Sequence, residues 1–202
     1  MQPSPGQREK NAKNIDRAIS ARSVHPVLIL SDNEDRTRFG VHNKATMAVL
    51  RYLMFLSLIV WLGGIIFFAA IVTRTAFSVL PSHHLAGNVV NRSLASLHWM
   101  GIVSGMVFLV SSLIYSRLHD GAAHPAAWRH ILIYAMLLLT LTSQFGVSPK
   151  MASLRASMGE MDSVAATDPA RIAFNNLHQW STRLEGGVLL LGLVVIYLTA
   201  AL

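Results

Sequence analysis

Residues 47–72 read MAVLRYLMFLSLIVWLGGIIFFAAIV. From Tyr52 to Val72 the stretch carries no charge over 21 residues. That is roughly 31 Å of α-helix at 1.5 Å per residue, enough to cross the hydrocarbon of a bilayer. It is too long for the core of a signal peptide, and no cleavage site closes it. The stretch therefore predicts a membrane span, and the remaining chain repeats the pattern.

Residues 93–115, SLASLHWMGIVSGMVFLVSSLIY, hold one ionisable group, His98. Residues 128–147, WRHILIYAMLLLTLTSQFGV, begin with Arg129 and His130, and Pro149 is expected to stop them. The last apolar run, 186–202, has 17 residues, at the short limit for a span. Its helix should start earlier. Thr167 or Asp168 can cap, Pro169 suits the first turn, and no Pro or Gly intervenes before Gly186. One helix over 169–202, about 50 Å long, is predicted, with a third of it outside the hydrocarbon. The reading is thus an all-α, four-span bundle with spans near 47–72, 93–115, 128–147 and 169–202. Residues 73–92 and 116–127 are read as connections. Met151, Leu154, Met158 and Met161 share one helical face, which predicts a short amphipathic surface helix near 150–162.

Composition agrees. Of 202 residues 52% are apolar and 13% charged, with mean hydropathy +0.45. Soluble domains carry about twice that charged fraction. The absence of cysteine excludes a disulfide framework and a thiolate metal site. The net charge is +7, but a basic surplus flanking membrane helices is a topology signal, and no nucleic-acid-binding motif occurs. Residues 1–46, with SPGQREKNAKN and SDNEDRTR, are polar and mixed in charge and predict a disordered tail. Met47 stands at the head of the first block, so a start there would give the membrane domain alone. With four spans both termini share a side. Eleven Lys and Arg flank that side and six the other, which predicts both termini in the cytoplasm and a multi-pass cytoplasmic-membrane protein.

Small residues mark expected helix contacts: Gly63-Gly64, the Gly101/Gly105 GxxxG pair, and Gly186-Gly187. Packing within one chain is favoured, with a homo-oligomer or a larger membrane complex open. The chemistry concentrates in FNNLHQWSTRLEGG, residues 174–187. His178, Ser181 and Glu185 follow i, i+3, i+7, so they share a face, and Arg171 continues it backwards. A charge beside an apolar run is costly, roughly 2.5–3.5 kcal/mol at a span's centre, so Glu185 must face protein or water or be protonated.

Three readings compete for that stripe. In the first, His178 and Glu185 bond to Gln144, Asn175 or His98 and only fix the bundle. In the second, the stripe handles a small solute, a metal ion or a proton. In the third, His98, His130 and His178 hold haem or a metal, as facing helices of a bundle can. No CxxCH or HExxH motif is present, and a non-enzymatic role is expected. The Met face is read as packing.

WLGGIIFFAAIVTRTAFSVLPSHHLAG, SQFGVSPKMASLR and FNNLHQWSTRLEGG, in that order, resemble the DUF4149 family of TMEM205-like membrane proteins. The resemblance covers residues 47–202 and implies a four-helix integral membrane protein whose biochemical role is unsettled. Carried over by position, Trp61, Gly63, Gly64, Pro149, His178 and Ser181 are the characteristic residues. The family often has an amide near Glu185, so the acid is a departure. WLGG is also similar to CopD-type and haem-binding HemJ-type membrane proteins, a fold-level echo.

Overall fold

The structure is a computed structural model. It describes residues 25–159 and 163–201 and parts of 6–17, with side chains throughout from Lys44 onward. The chain divides into two compact units, Met1–Met47 and Ala48–Leu202. In the first unit the described backbone is helical, and Lys13 pairs with Glu9 one turn away at 3.2 Å. Of the tail expected to be disordered, residues 1–5, 8, 12, 16 and 18–24 lie outside the described set; the described positions are helical, and 25–46 form the start of a helix.

Four helical rods are each long and apolar enough to cross a membrane: Lys44–Val79, His83–Asp120, Trp128–Met158 and Pro169–Ala200. We number their helices α1 (His25–Phe67), α2 (Thr73–Val79), α3 (His83–Asp120), α4 (Trp128–Leu141), α5 (Ser148–Met158) and α6 (Pro169–Ala200). A π-helical turn, Phe68–Val72, joins α1 to α2, and a second, Thr142–Val147, joins α4 to α5. Among the described residues no strand is present.

Rods of 31–38 residues exceed the roughly 20 residues that a bilayer requires, and the excess was not legible as apolar sequence. The segment 73–92, expected as a connection, is almost wholly helical. Thr73 starts α2 by donating its hydroxyl to Phe68 O. Leu80 turns extended, and Ser82 Oγ then caps α3 by accepting from Leu85 N at 3.3 Å. An N-cap needs only one orphan backbone donor satisfied, so the polar run after it folds as readily as an apolar one. At the far end Asp120 is followed by Gly121 in the left-handed region, φ 75°, which a Cβ would strain.

Pro149 does not stop the third rod. It occupies the first turn of α5, directly after the π turn. A proline lacks the N–H a helix interior uses and crowds the carbonyl four residues back. The π turn shifts the pairing, Ser148 N–H reaching Ser143 O five residues back, so the helix continues. The amphipathic helix expected near 150–162 is accordingly α5, an extension of the third span rather than a separate surface element. Met151 is buried with Val147 and Phe174, against Leu154, Met158, Leu177 and Leu184. The Met face is packing, as read; Met161 lies outside the described residues.

The last helix matches its expectation. Asp168 Oδ1 accepts from Ala170 N (2.8 Å) and Arg171 N (3.4 Å), Pro169 follows, and α6 runs without a break to Ala200.

Half of the most apolar window of the second rod is buried, against 28%, 28% and 22% for the others, so α3 is the central helix. Its small residues seat the first rod. The Trp61 indole lies where Cβ atoms at Gly101 and Gly105 would stand, and is itself buried. Leu62 fills the space at Gly192, Met100 and Leu97 close over Gly64, and Leu139 lies 3.3 Å from the Cβ position at Gly187. Small residues thus admit close approach at Gly64, Gly101, Gly105, Gly187 and Gly192. Gly63 and Gly186 do not share this role: a Cβ at either meets nothing within 4 Å. In a helix of 3.6 residues per turn, adjacent glycines point about 100° apart, so each pair has only one member at the contact.

Candidate functional site

The site grows from α3 outward. His98 is almost wholly buried, and both its ring nitrogens are engaged: Nδ1 lies 2.7 Å from Gln144 Oε1 and Nε2 lies 2.6 Å from Glu185 Oε1. The three residues come from three rods. Gln144 sits in the second π turn, Glu185 in the middle of α6. An imidazolium donating to both oxygens satisfies the pair. So does a neutral ring whose Nε2–H donates to Glu185 while the Gln144 amide turns its NH2 toward Nδ1. In either form Glu185 has the partner that its position demands.

Through Glu185 this cluster forms one boundary, the floor, of a cavity of about 610 Å³; His98 and Gln144 lie behind the lining. Every member of the predicted stripe lines it: Arg171, His178, Ser181 and Glu185. Their i, i+3, i+7 register on one unbroken helix face brings them there. Opposite stand Ile65, Phe68 and Phe77 from the first rod, Val90, Asn91 and Leu94 from α3, and Met151 and Arg155 from α5. One edge is a stack. Arg155 lies over the Phe174 ring at 5.1 Å, and Phe174 lies parallel to His178 at 6.4 Å between centroids.

Two guanidinium groups face this space, each held by one main-chain carbonyl. Arg155 Nη1 donates to Gly87 O at 2.7 Å, and Arg171 Nη1 donates to Val164 O. Gly87 lets this guanidinium lie close against the backbone: a Cβ would stand 2.8 Å from Arg155 Nη2, and the guanidinium would have to shift. A guanidinium has five N–H donors, so each anchored group keeps donors in hand. Among the described residues neither arginine forms an ion pair. Among the described residues the only acid on the cavity wall, Glu185, is joined to His98.

His130 belongs elsewhere. Its Nδ1 donates to His124 O at 2.8 Å and its Nε2 lies 2.7 Å from Ser112 Oγ. Arg129 Nε donates to the same Ser112 hydroxyl (2.9 Å), and its Nη2 to Ser116 Oγ (2.6 Å). This network ties the start of α4 to the end of α3, at the opposite end of the rods from the cavity. His98, His130 and His178 therefore do not converge. His98 and His130 have both nitrogens committed to protein partners, and His178 stacks on Phe174. Among the described residues no group of three His, Cys, Asp or Glu side chains is arranged to hold a metal ion. The donor set does not fit the haem or metal reading of these three histidines.

Sequence reasoning named four of the cavity's polar residues and offered His98 and Gln144 as possible partners of Glu185. It missed Arg155. A signal was present, since Arg155 stands four residues after Met151, on the face where the Met stripe packs.

Residues 56–160 match the family model of a domain of unknown function, DUF4149. The chain belongs to the DUF4149 family. The matched segment runs from the first span through α5, so it includes Trp61, His98, Gln144, Pro149 and Arg155. The α6 stripe lies outside it, and in this DUF4149 protein the floor therefore joins two matched residues, His98 and Gln144, to one unmatched residue, Glu185. No curated protein matches the chain, and no solved structure does.

Proposed function

We propose that this is a non-enzymatic integral membrane protein that holds a small solute in the cavity between its rods. One observation carries the reading: Arg171, His178, Ser181 and Glu185, spread over four turns of α6, all line one cavity of about 610 Å³. Small-molecule sites occupy roughly 300–1,000 Å³ and combine apolar walls with a few convergent polar groups. This cavity has both.

The depth of the cavity follows from the aromatic residues. Trp and Tyr favour the two membrane interfaces. Trp180 and Tyr197 are exposed on α6, roughly 25 Å apart along the helix at 1.5 Å per residue. Exposed Trp128 and Phe145 have the same separation on the third rod, and Phe145 meets exposed Trp99 edge-on. Set between these levels, the hydrocarbon ends near Glu185, and the cavity lies outside it, extending roughly 21 Å along α6 to Arg171. We place the protein in the cytoplasmic membrane with both termini inside and the cavity on the outer face. Two of the six cations on the cavity side, Arg155 and Arg171, are cavity residues rather than flanking charges, leaving four against the eleven of the other side, which strengthens the charge argument.

Native mass spectrometry of the purified protein tests the solute reading. Wild type should carry a small-molecule adduct from the membrane, and Ser181→Trp, which fills the cavity, should not. Identical spectra overturn the reading. A reporter fused at Leu202 tests the topology; activity outside the cytoplasm reverses it.

A further inference from the structure

The solute's chemistry can be read from the cavity wall. We propose that the cavity takes a single-chain amphiphile with a carboxylate or phosphate head, bound by Arg171 and Arg155. This rests on the solute-binding reading above and adds the class of ligand to it.

Charge decides the head. Among the described residues the cavity wall carries two guanidinium groups and one carboxylate, and that carboxylate is already bonded to His98. A cationic ligand would meet two uncompensated cations and have to separate Glu185 from its partner. An anion meets Arg155 and Arg171, each oriented by one backbone carbonyl and left with N–H donors that no described acid engages. Planar guanidinium groups match the paired oxygens of carboxylates and phosphates. His178, Ser181 and Thr182 stand along the same wall and add hydrogen-bonding capacity.

The rest of the wall decides the body. Ile65, Phe68, Phe77, Val90 and Leu94 form an apolar face opposite α6. The volume, about 610 Å³, is far more than a bare ion fills. Arg171 and Arg155 stand at the outer end of the cavity, and Ile65 and Leu94 lie toward its Glu185 end, so a head held by the arginines directs the chain inward along the apolar wall. An anionic head on an apolar chain meets both halves at once, whereas inorganic phosphate meets one and a neutral amphiphile the other.

The chain has no cysteine, so Ser181→Cys gives one reporter thiol on the cavity wall, with Thr182→Cys as a second should the first not fold. Labelling by a water-soluble maleimide is followed in purified protein with oleoyl lysophosphatidate, oleate, monooleoylglycerol or inorganic phosphate. The two anionic amphiphiles should slow labelling at concentrations at least about tenfold below those at which monooleoylglycerol or phosphate does. Arg171→Gln, or Arg155→Lys, should weaken that protection by about tenfold, as loss of a charge-assisted hydrogen bond does. Equal protection by monooleoylglycerol overturns the anionic class while leaving the solute-binding reading standing. Protection by phosphate alone overturns the amphiphile. Thiols that never label show that no open cavity exists, and the solute-binding reading falls with the proposal.

Discussion

The central helix α3 carries two polar clusters built to the same plan, and the spaces beside them differ: Glu185 borders a cavity of about 610 Å³ walled by aromatic and aliphatic side chains, whereas Arg129 and His124 border one of about 480 Å³ lined by residues of the 120–127 turn. At one end His98 bonds through both nitrogens to Gln144 and Glu185, side chains from two other rods. At the other, His130 bonds through both nitrogens to the Ser112 hydroxyl and the His124 carbonyl, with Arg129 completing the set. Both histidines are fully buried. Burial and a filled hydrogen-bond shell therefore do not distinguish a site from a fastening. The His130 cluster joins residues close in sequence and closes the α3–α4 turn. The His98 cluster joins residues far apart in sequence, includes an acid beside the hydrocarbon, and forms the floor of a cavity with two arginines.

That contrast can be broken by substitution. The largest effect is expected at His98. His98→Leu strands Glu185 near the hydrocarbon, and loss of one member of a buried pair costs about 3–5 kcal/mol. The double variant His98→Leu/Glu185→Leu should recover most of it in a denaturant or thermal unfolding assay in detergent. Equal destabilisation in single and double variants would show that the pair is not coupled. His130→Leu should cost less, about 1–3 kcal/mol for the hydrogen bonds left unmade, and should leave labelling at Ser181→Cys unaltered. A change in that labelling would join the two clusters and erase the distinction.

Packing provides a third comparison. Gly105→Leu must displace Trp61 and Leu137, which overpacking data put at about 1–3 kcal/mol. Gly63→Ala and Gly186→Ala meet open space and should change stability by no more than about 1 kcal/mol, in the stabilising direction, because Ala is the better helix former. Unfolding midpoints of the three variants check the order. Gly63→Ala as damaging as Gly105→Leu would mean that Gly63 packs against a partner surface.

Most of the fold was legible because membrane spans are written in composition. Four apolar runs gave four rods, and Asp168-Pro169 gave the start of α6. The rods' projecting ends were less legible. Residues 83–92 mix polar and apolar side chains and were read as a connection, yet Ser82 caps them into helix. Pro149 was read as a stop, yet a π turn beside it lets the helix continue. Helix periodicity alone brought Arg171, His178, Ser181 and Glu185 to one face, and the cavity is where that face looks. What one face cannot reveal is its partner across the bundle, so the His98–Glu185 contact and the role of Arg155 needed the tertiary packing. Adjacent glycines were read as equivalent, although the helical turn separates them.

The most direct measurement compares two single thiols on the two clusters. Ser181→Cys lies on the cavity wall and Ser112→Cys lies inside the closed network, and both serines are buried. With a membrane-impermeant maleimide on intact cells, Ser181→Cys should label and Ser112→Cys should not, before or after permeabilisation. Labelling at Ser112→Cys with none at Ser181→Cys, or equal labelling at both, would contradict the assignment of the His98 cluster as the floor of an open site.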